Sequence, residues 1–264
     1  MARRNKEKRR IGPVRVIVII VLLAIIAYCL YQVLPYVWNN LKEKNAFDQI
    51  SQDYTNVGDN RDENWWYTDV DIDVAGLQSQ YPDVIGWIRF DEPEETILID
   101  YPILYSGDDD TYLHRDMNKK SSYPGCIFLE GENNPALTDT SSIIYGHNMR
   151  NGTMFGTLKH YQDDGVYDAN QYFTVYTKDM AYRYHIFSYF TTGSNSDVYM
   201  VGFEPDEIYQ NYLNDLVNRS VIDTGVVPTI DQKIVLLSTC KGSGTDYRFV
   251  VCGVCEASHT YPAE

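Results

Sequence analysis

Cys240 closes the apolar run Lys233-Ile234-Val235-Leu236-Leu237-Ser238-Thr239, and Lys241-Gly242-Ser243-Gly244 follows at once. A thiol at a strand end beside a glycine-rich turn is accessible, as a nucleophile must be. The next apolar run opens Tyr247-Arg248-Phe249, so a β-hairpin would bring Arg248 back alongside Cys240 as a fixed cation. By alternation Leu236, Ser238 and Cys240 share a face, and Arg248, Val250 and Cys252 share one. Such a nucleophile needs a base, and five histidines are available. His147 ends the apolar run Ile143-Ile144-Tyr145-Gly146 and is followed by the polar Asn148. His114 and His160 have charged or polar neighbours, His185 alternates within a strand and His259 lies in the tail. Each feature is weak alone, since a lone strand-end histidine is more often structural or solvated. Together, on one β-rich domain, they point to cysteine-based nucleophilic catalysis.

The remaining cysteines carry less. There are five in all, at positions 29, 126, 240, 252 and 255, an odd number that indicates no disulfide framework. Cys252 and Cys255 form a C-x-x-C, but in a strand positions three apart point to opposite faces, and a second such pair or a local His pair is missing. Buried apolar thiols are the expectation for them. Asp108-Asp109-Asp110 invites a calcium reading, yet three adjacent acids cannot all face one ion, and a solvated acidic loop is the better account. No cofactor or metal motif is visible.

These side chains must be positioned by β-structure. Short runs of branched and aromatic residues, separated by Gly, Pro, Asn and Asp clusters, predict strands near 84–90, 96–104, 125–130, 141–147, 171–177, 181–191, 233–240 and 247–256. Eight strands from one chain imply a closed or nearly closed barrel, because closure removes the sheet edges. A short helix is expected at 155–161. A longer one is expected at 204–217, in the connection between the sixth and seventh strands, with Pro205 in its first turn and Ile208, Tyr209, Tyr212, Leu213, Leu216 and Val217 as one apolar stripe.

Upstream of the β-region, residues 16–41 contain no charge, and the most apolar part reaches the ~20 residues a helix needs to span a bilayer. Seven cations and one acid occupy the first fifteen positions, a surplus of six, so the remainder carries −21 of the net −15. The positive-inside rule then assigns 1–15 as a cytoplasmic basic segment, 16–36 as a signal-anchor helix, and 71–264 as an extracytoplasmic domain. Residues 37–70 read as an exposed juxtamembrane helix followed by an Asn- and Asp-rich linker over 55–64, and 71–80 as a further short helix. With 44% hydrophobic residues in 264 the chain has room for one ample core, which excludes a disordered protein. The acidic body would repel phosphate backbones, which excludes nucleic acid as a partner.

Leu237-Ser238-Thr239-Cys240 with an arginine eight residues on resembles the sortase motif. The segment Ile144-Tyr145-Gly146-His147-Asn148-Met149-Arg150-Asn151-Gly152-Thr153-Met154-Phe155-Gly156-Thr157-Leu158 is similar to the histidine loop of class B sortases, and the helical insert closing with Asn218-Arg219-Ser220-Val221-Ile222-Asp223-Thr224-Gly225 fits that class. The resemblance covers roughly 71–256. It implies a mainly β, eight-stranded sortase-type barrel with N-terminal helices and a helix between strands six and seven. It also implies a membrane-anchored cysteine transpeptidase of a Gram-positive-type cell envelope. In it Cys240 is nucleophile, His147 acid/base and Arg248 stabiliser. The implied partners are a secreted protein with a C-terminal sorting signal, cleaved after Thr, and a peptidoglycan amine, and such an amide exchange needs no cofactor. For substrate binding the candidates are Ser238, two places before the nucleophile, then Leu113 and Tyr199. The competing reading is a catalytically idle, surface-anchored β-domain that binds a wall or host ligand.

Overall fold

The eight apolar runs all form strands, and these close into one barrel. The computed structural model describes residues 12–92, 96–240 and 246–262. The basic segment 1–11, the turn 241–245 and the Cys240 side chain, on which parts of the sequence reading fall, lie outside the described part. In chain order the elements are α1 (Pro13–Tyr54), β1 (Thr55–Val57), α2 (Trp65–Thr68), β2 (Val70–Ile72), α3 (Val74–Gln80), β3 (Val84–Phe90), β4 (Asp100–Leu104), β5 (Ile127–Leu129) and β6 (Ser141–His147). There follow a 3-10 turn at Leu158–Gln162, α4 (Val166–Ala169), β7 (Tyr172–Tyr176), β8 (Met180–Gly193), a 3-10 turn at Asp197–Tyr199, α5 (Glu207–Asn218), β9 (Ile234–Cys240) and β10 (Tyr247–Thr260).

The chain divides into two units between Asn45 and Ala46. In the first, α1 contains the stretch Pro13–Pro35, long and apolar enough to cross a membrane. The second begins with the last turns of α1. These are not exposed as expected: Phe47 is buried edge-on against Tyr101 at 5.6 Å, Ile50 and Tyr54 pack on the core, and the Ser51 hydroxyl donates to Asp100 at 3.0 Å. The expected linker is also shorter than read. Thr55–Val57 pairs with Val70–Ile72 as a two-stranded antiparallel sheet, and the Tyr176 hydroxyl donates to the carbonyl of the buried Trp66. Part of the anticipated helix at 71–80 is therefore strand, and α3 starts only after Asp73, whose carboxylate accepts from the Gly76 N–H as an N-cap.

Around the barrel the strands run β10-β8-β7-β3-β4-β5-β6-β9. Neighbours are antiparallel except β4–β5 and β6–β9, which are parallel. A parallel pair requires a crossover, and the one from β6 to β9 contains β7, β8 and α5. Two apolar clusters lie on opposite faces of the shared strands. Val235 and Leu237 of β9, Ile144 of β6 and Val251 of β10 join the larger one, whereas Ile234, Leu236, Ile143, Val250 and Cys252 join a second one beneath α5. Burial on both faces explains why β9 reads as a continuous apolar run.

α5 has Asp206 as its N-cap, accepting from the Ile208 and Tyr209 N–H groups, so Pro205 precedes the cap and is not in the first turn. Tyr209, Tyr212, Leu213 and Leu216 are buried as expected, each stabilising the packing by about 1.5–3 kcal/mol. Ile208 is 65% exposed, because the cap rotates it off the buried face. The Tyr209 hydroxyl ties α5 to the carbonyls of Thr140 and Gln232, and Tyr212 donates to Val198 O at 2.7 Å, fixing the turn that ends at Tyr199. At 155–161 the predicted helix is instead the short 3-10 turn Leu158–Gln162, which starts three residues later and ends one later.

Candidate active site

His147 and Cys240 are in-register partners across the parallel pair β6–β9, and both end their strands. Parallel pairing puts the C-terminal ends of two strands on the same side of the barrel. The two backbones are therefore one interstrand spacing apart, about 4.8 Å. β10 runs antiparallel to β9 with Val250 opposite Ser238, the last pair of that ladder. Beyond it Thr239 takes over: its hydroxyl accepts from the Phe249 N–H at 3.0 Å and donates to the Phe249 carbonyl at 3.3 Å. Arg248 then donates from Nη1 to the Thr239 carbonyl at 3.2 Å, one residue before Cys240. Sequence reading overlooked Thr239, whose only signal is a second hydroxyl beside Ser238 at the end of an apolar strand.

The strand end at His147 is held by its own loop. The His147 carbonyl accepts from the Met149 and Phe155 N–H groups, at 3.1 and 3.0 Å. Gly146 lets the Phe155 ring lie against the backbone; a Cβ there would stand 2.7 Å from a ring carbon. On the imidazole, Nε2 lies 2.8 Å from the Leu113 carbonyl. A carbonyl only accepts, so Nε2 carries the hydrogen, and the neutral ring leaves Nδ1 as its basic nitrogen. Burial lowers the proton affinity of His147 below its ordinary 6.5. The bond to Leu113 opposes this, and the charges of His114 and Arg248 add to it.

These groups open on a cleft of about 440 Å³ lined by Asp109, Leu113, His114, Phe128, Tyr145, His147, Ser194, Tyr199 and Arg248. Of the substrate-binding candidates, Leu113 and Tyr199 line it. Ser238 is fully buried, and its hydroxyl lies 3.0 Å from the Tyr199 hydroxyl, so it holds a lining residue. His114, set aside in the sequence for its polar neighbours, has its ring 5.9 Å from that of His147. Asp109, read as part of a solvated loop, also reaches the cleft; the pattern of three acids gives no sign of which one turns inward. Cys126, Cys252 and Cys255 are free thiols, and Cys252 and Cys255 face different clusters, as alternation requires. Among the described residues no three His, Cys, Asp or Glu side chains group as metal ligands would.

A family model described as the sortase domain matches residues 95–256. Sortase B of Listeria monocytogenes is 33% identical over 170 residues, 64% of this chain and 67% of that protein. The chain belongs to the class B sortases. Solved relatives share the architecture of this class B sortase. Sortase B of Bacillus anthracis superposes with a TM-score of 0.70 at 25% identity, covering 83% of this chain and 98% of its own. Sortase B of Clostridium perfringens gives 0.62 at 32% identity, covering 68% and 97%. The expected eight-stranded barrel with N-terminal helices is thus the observed one, and the protein is a cysteine transpeptidase, which disposes of the idle-domain alternative.

Proposed function

We propose that Cys240, His147 and Arg248 are the catalytic residues and that the substrate is a secreted protein with a C-terminal sorting signal, cleaved after Thr. The Cys240 sulfur attacks the Thr carbonyl while its proton passes to Nδ1 of the neutral His147. The tetrahedral oxyanion, or the substrate carbonyls beside it, lies against the Arg248 guanidinium. The resulting imidazolium protonates the departing amine, and a thioacyl-enzyme remains. A peptidoglycan amine then attacks the thioacyl carbon, His147 as imidazole takes its proton, and sulfur departs with the electron pair of the C–S bond. The observation that supports this reading is the register of His147 with Cys240 across β6–β9, with Arg248 bound to the carbonyl next to Cys240. Burial also lowers the proton affinity of His147, which disfavours the thiolate–imidazolium pair at rest.

In the same reading, 1–15 is cytoplasmic, 16–36 crosses the membrane once and the catalytic domain lies outside, where its anchor holds it near membrane-bound acceptors and secreted cargo. The test is mass spectrometry of the enzyme with a library of peptides that carry Pro and then Thr before the scissile position. The expected result is an acyl adduct on Cys240 ending in Thr, absent from Cys240→Ala. Turnover retained by Cys240→Ala would refute it.

A further inference from the structure

The second half of the reaction consumes an amine, and an aliphatic amine at neutral pH is an ammonium. Among the described residues the cleft has one carboxylate in its lining, Asp109. Its neighbour Asp108 is occupied by its own loop, accepting from the N–H groups of Asp110 and Thr111 at 2.9 and 2.7 Å and from the Thr111 hydroxyl at 2.8 Å. Asp109 accepts the Gly131 N–H on Oδ1 at 2.8 Å. That bond fixes the carboxylate and uses one of about four acceptor positions. Another acid nearby, Glu130, is nearly buried and holds its proton more readily than usual, through burial first and then the charge of Asp109. Asp109 is therefore the acid that the cleft itself presents. After burial, its charge is also the main influence raising the Tyr145 hydroxyl, where Arg248 acts in the opposite sense, so Asp109 and Arg248 bring opposite charges to bear on Tyr145 in the lining. The −21 borne beyond residue 15 further favours cationic partners.

We infer that Asp109 receives the ammonium of the acceptor amine and sets its place in the cleft before it attacks the acyl group. This rests on Cys240 being the acyl carrier. The ammonium releases one proton to solvent. Its lone pair then forms the C–N bond, a second proton passes to His147, and the C–S bond breaks with its electron pair on sulfur. Because Asp109 holds the charged form and favours no later state, its loss raises acceptor KM and kcat together and leaves kcat/KM nearly unchanged.

The test uses the full chain in detergent micelles with one donor peptide from the library and two acceptors: triglycine amide, an ammonium at neutral pH, and hydroxylamine, uncharged there. Asp109→Asn keeps the shape and the acceptor for Gly131. The ratio of KM for triglycine amide to KM for hydroxylamine is expected to rise about three- to fivefold in this variant, the scale of an exposed ion pair. High salt should raise that ratio in the wild type and leave it nearly flat in the variant. Asp109→Glu, which keeps the charge, should restore most of the loss. A ratio unchanged by Asp109→Asn, or both KM values moving together, would overturn the inference. If the wild type forms no hydroxamate at all, the acyl-carrier reading fails, and this one with it.

Discussion

Replacing Thr239 by Val keeps the outline of the side chain and removes its hydroxyl. The residue is 3% exposed, so water cannot substitute. Two hydrogen bonds to Phe249 disappear, at 3.0 and 3.3 Å. Each contributes about 1 kcal/mol net, and a buried Phe249 N–H left unpaired costs about 1–3 kcal/mol. Since the N–H bond is counted in both, the expected loss is about 2–3 kcal/mol, or roughly 5–10 °C in Tm for a domain of this size. Thr239→Ser retains the hydroxyl and loses one methyl, about 0.8 kcal/mol. The hydroxyl also joins β9 to β10 past their last ladder pair, where Arg248 reaches the Thr239 carbonyl. Loss of that clasp should therefore lower kcat/KM by about tenfold or more in the Val variant, since small displacements in a catalytic site are costly. Thermal unfolding by circular dichroism and donor-peptide turnover well below the transition would measure both effects. A Val variant that melts within a degree of wild type, or one that matches Thr239→Ser in both measurements, would refute the reasoning.

Arg248→Lys is expected to lower kcat/KM about 10²-fold, because a flexible ammonium cannot hold the Thr239 carbonyl and an oxyanion together as a planar fork can; near wild-type kinetics would show that charge alone matters. For His147 the folded state depresses proton affinity below 6.5, so between the folded value and 6.5 the unfolded chain binds more protons. Its contribution to stability is complete above that window and is lost as pH falls through it. His147→Gln should consequently lose less stability than wild type on going from pH 7.5 to pH 5, by urea midpoints; an equal or greater loss would contradict this. Protease added to intact protoplasts should digest the catalytic domain and spare the first fifteen residues, and protection of the Cys240 region would invert the topology.

Local chemistry was legible before any coordinates. β3 and β6 occupy the residues their apolar patterns predict, and α5 buries four of the six positions in its predicted stripe. Cys240 and His147 stand out as strand ends because each apolar run stops abruptly there. Where the reading failed, a distant partner decided. The polar stretch after Tyr54 pairs because Val70–Ile72 comes to lie beside it. Ser238, expected by alternation to share the face of Cys240, is covered by Tyr199.

The sequence by itself determined the period of each element, the run that can span a bilayer, the charge asymmetry, and a combined motif specific enough to identify the sortase class. Only the tertiary structure decided which way β6 and β9 run relative to each other, that the Leu113 carbonyl holds Nε2 of His147, that Thr239 bridges to Phe249, and which of three consecutive acids turns into the cleft. The physical reason is range. Alternation and capping depend on neighbours a few residues apart, whereas the register of β6 with β9 is set by closing a barrel around a crossover that carries two further strands and α5.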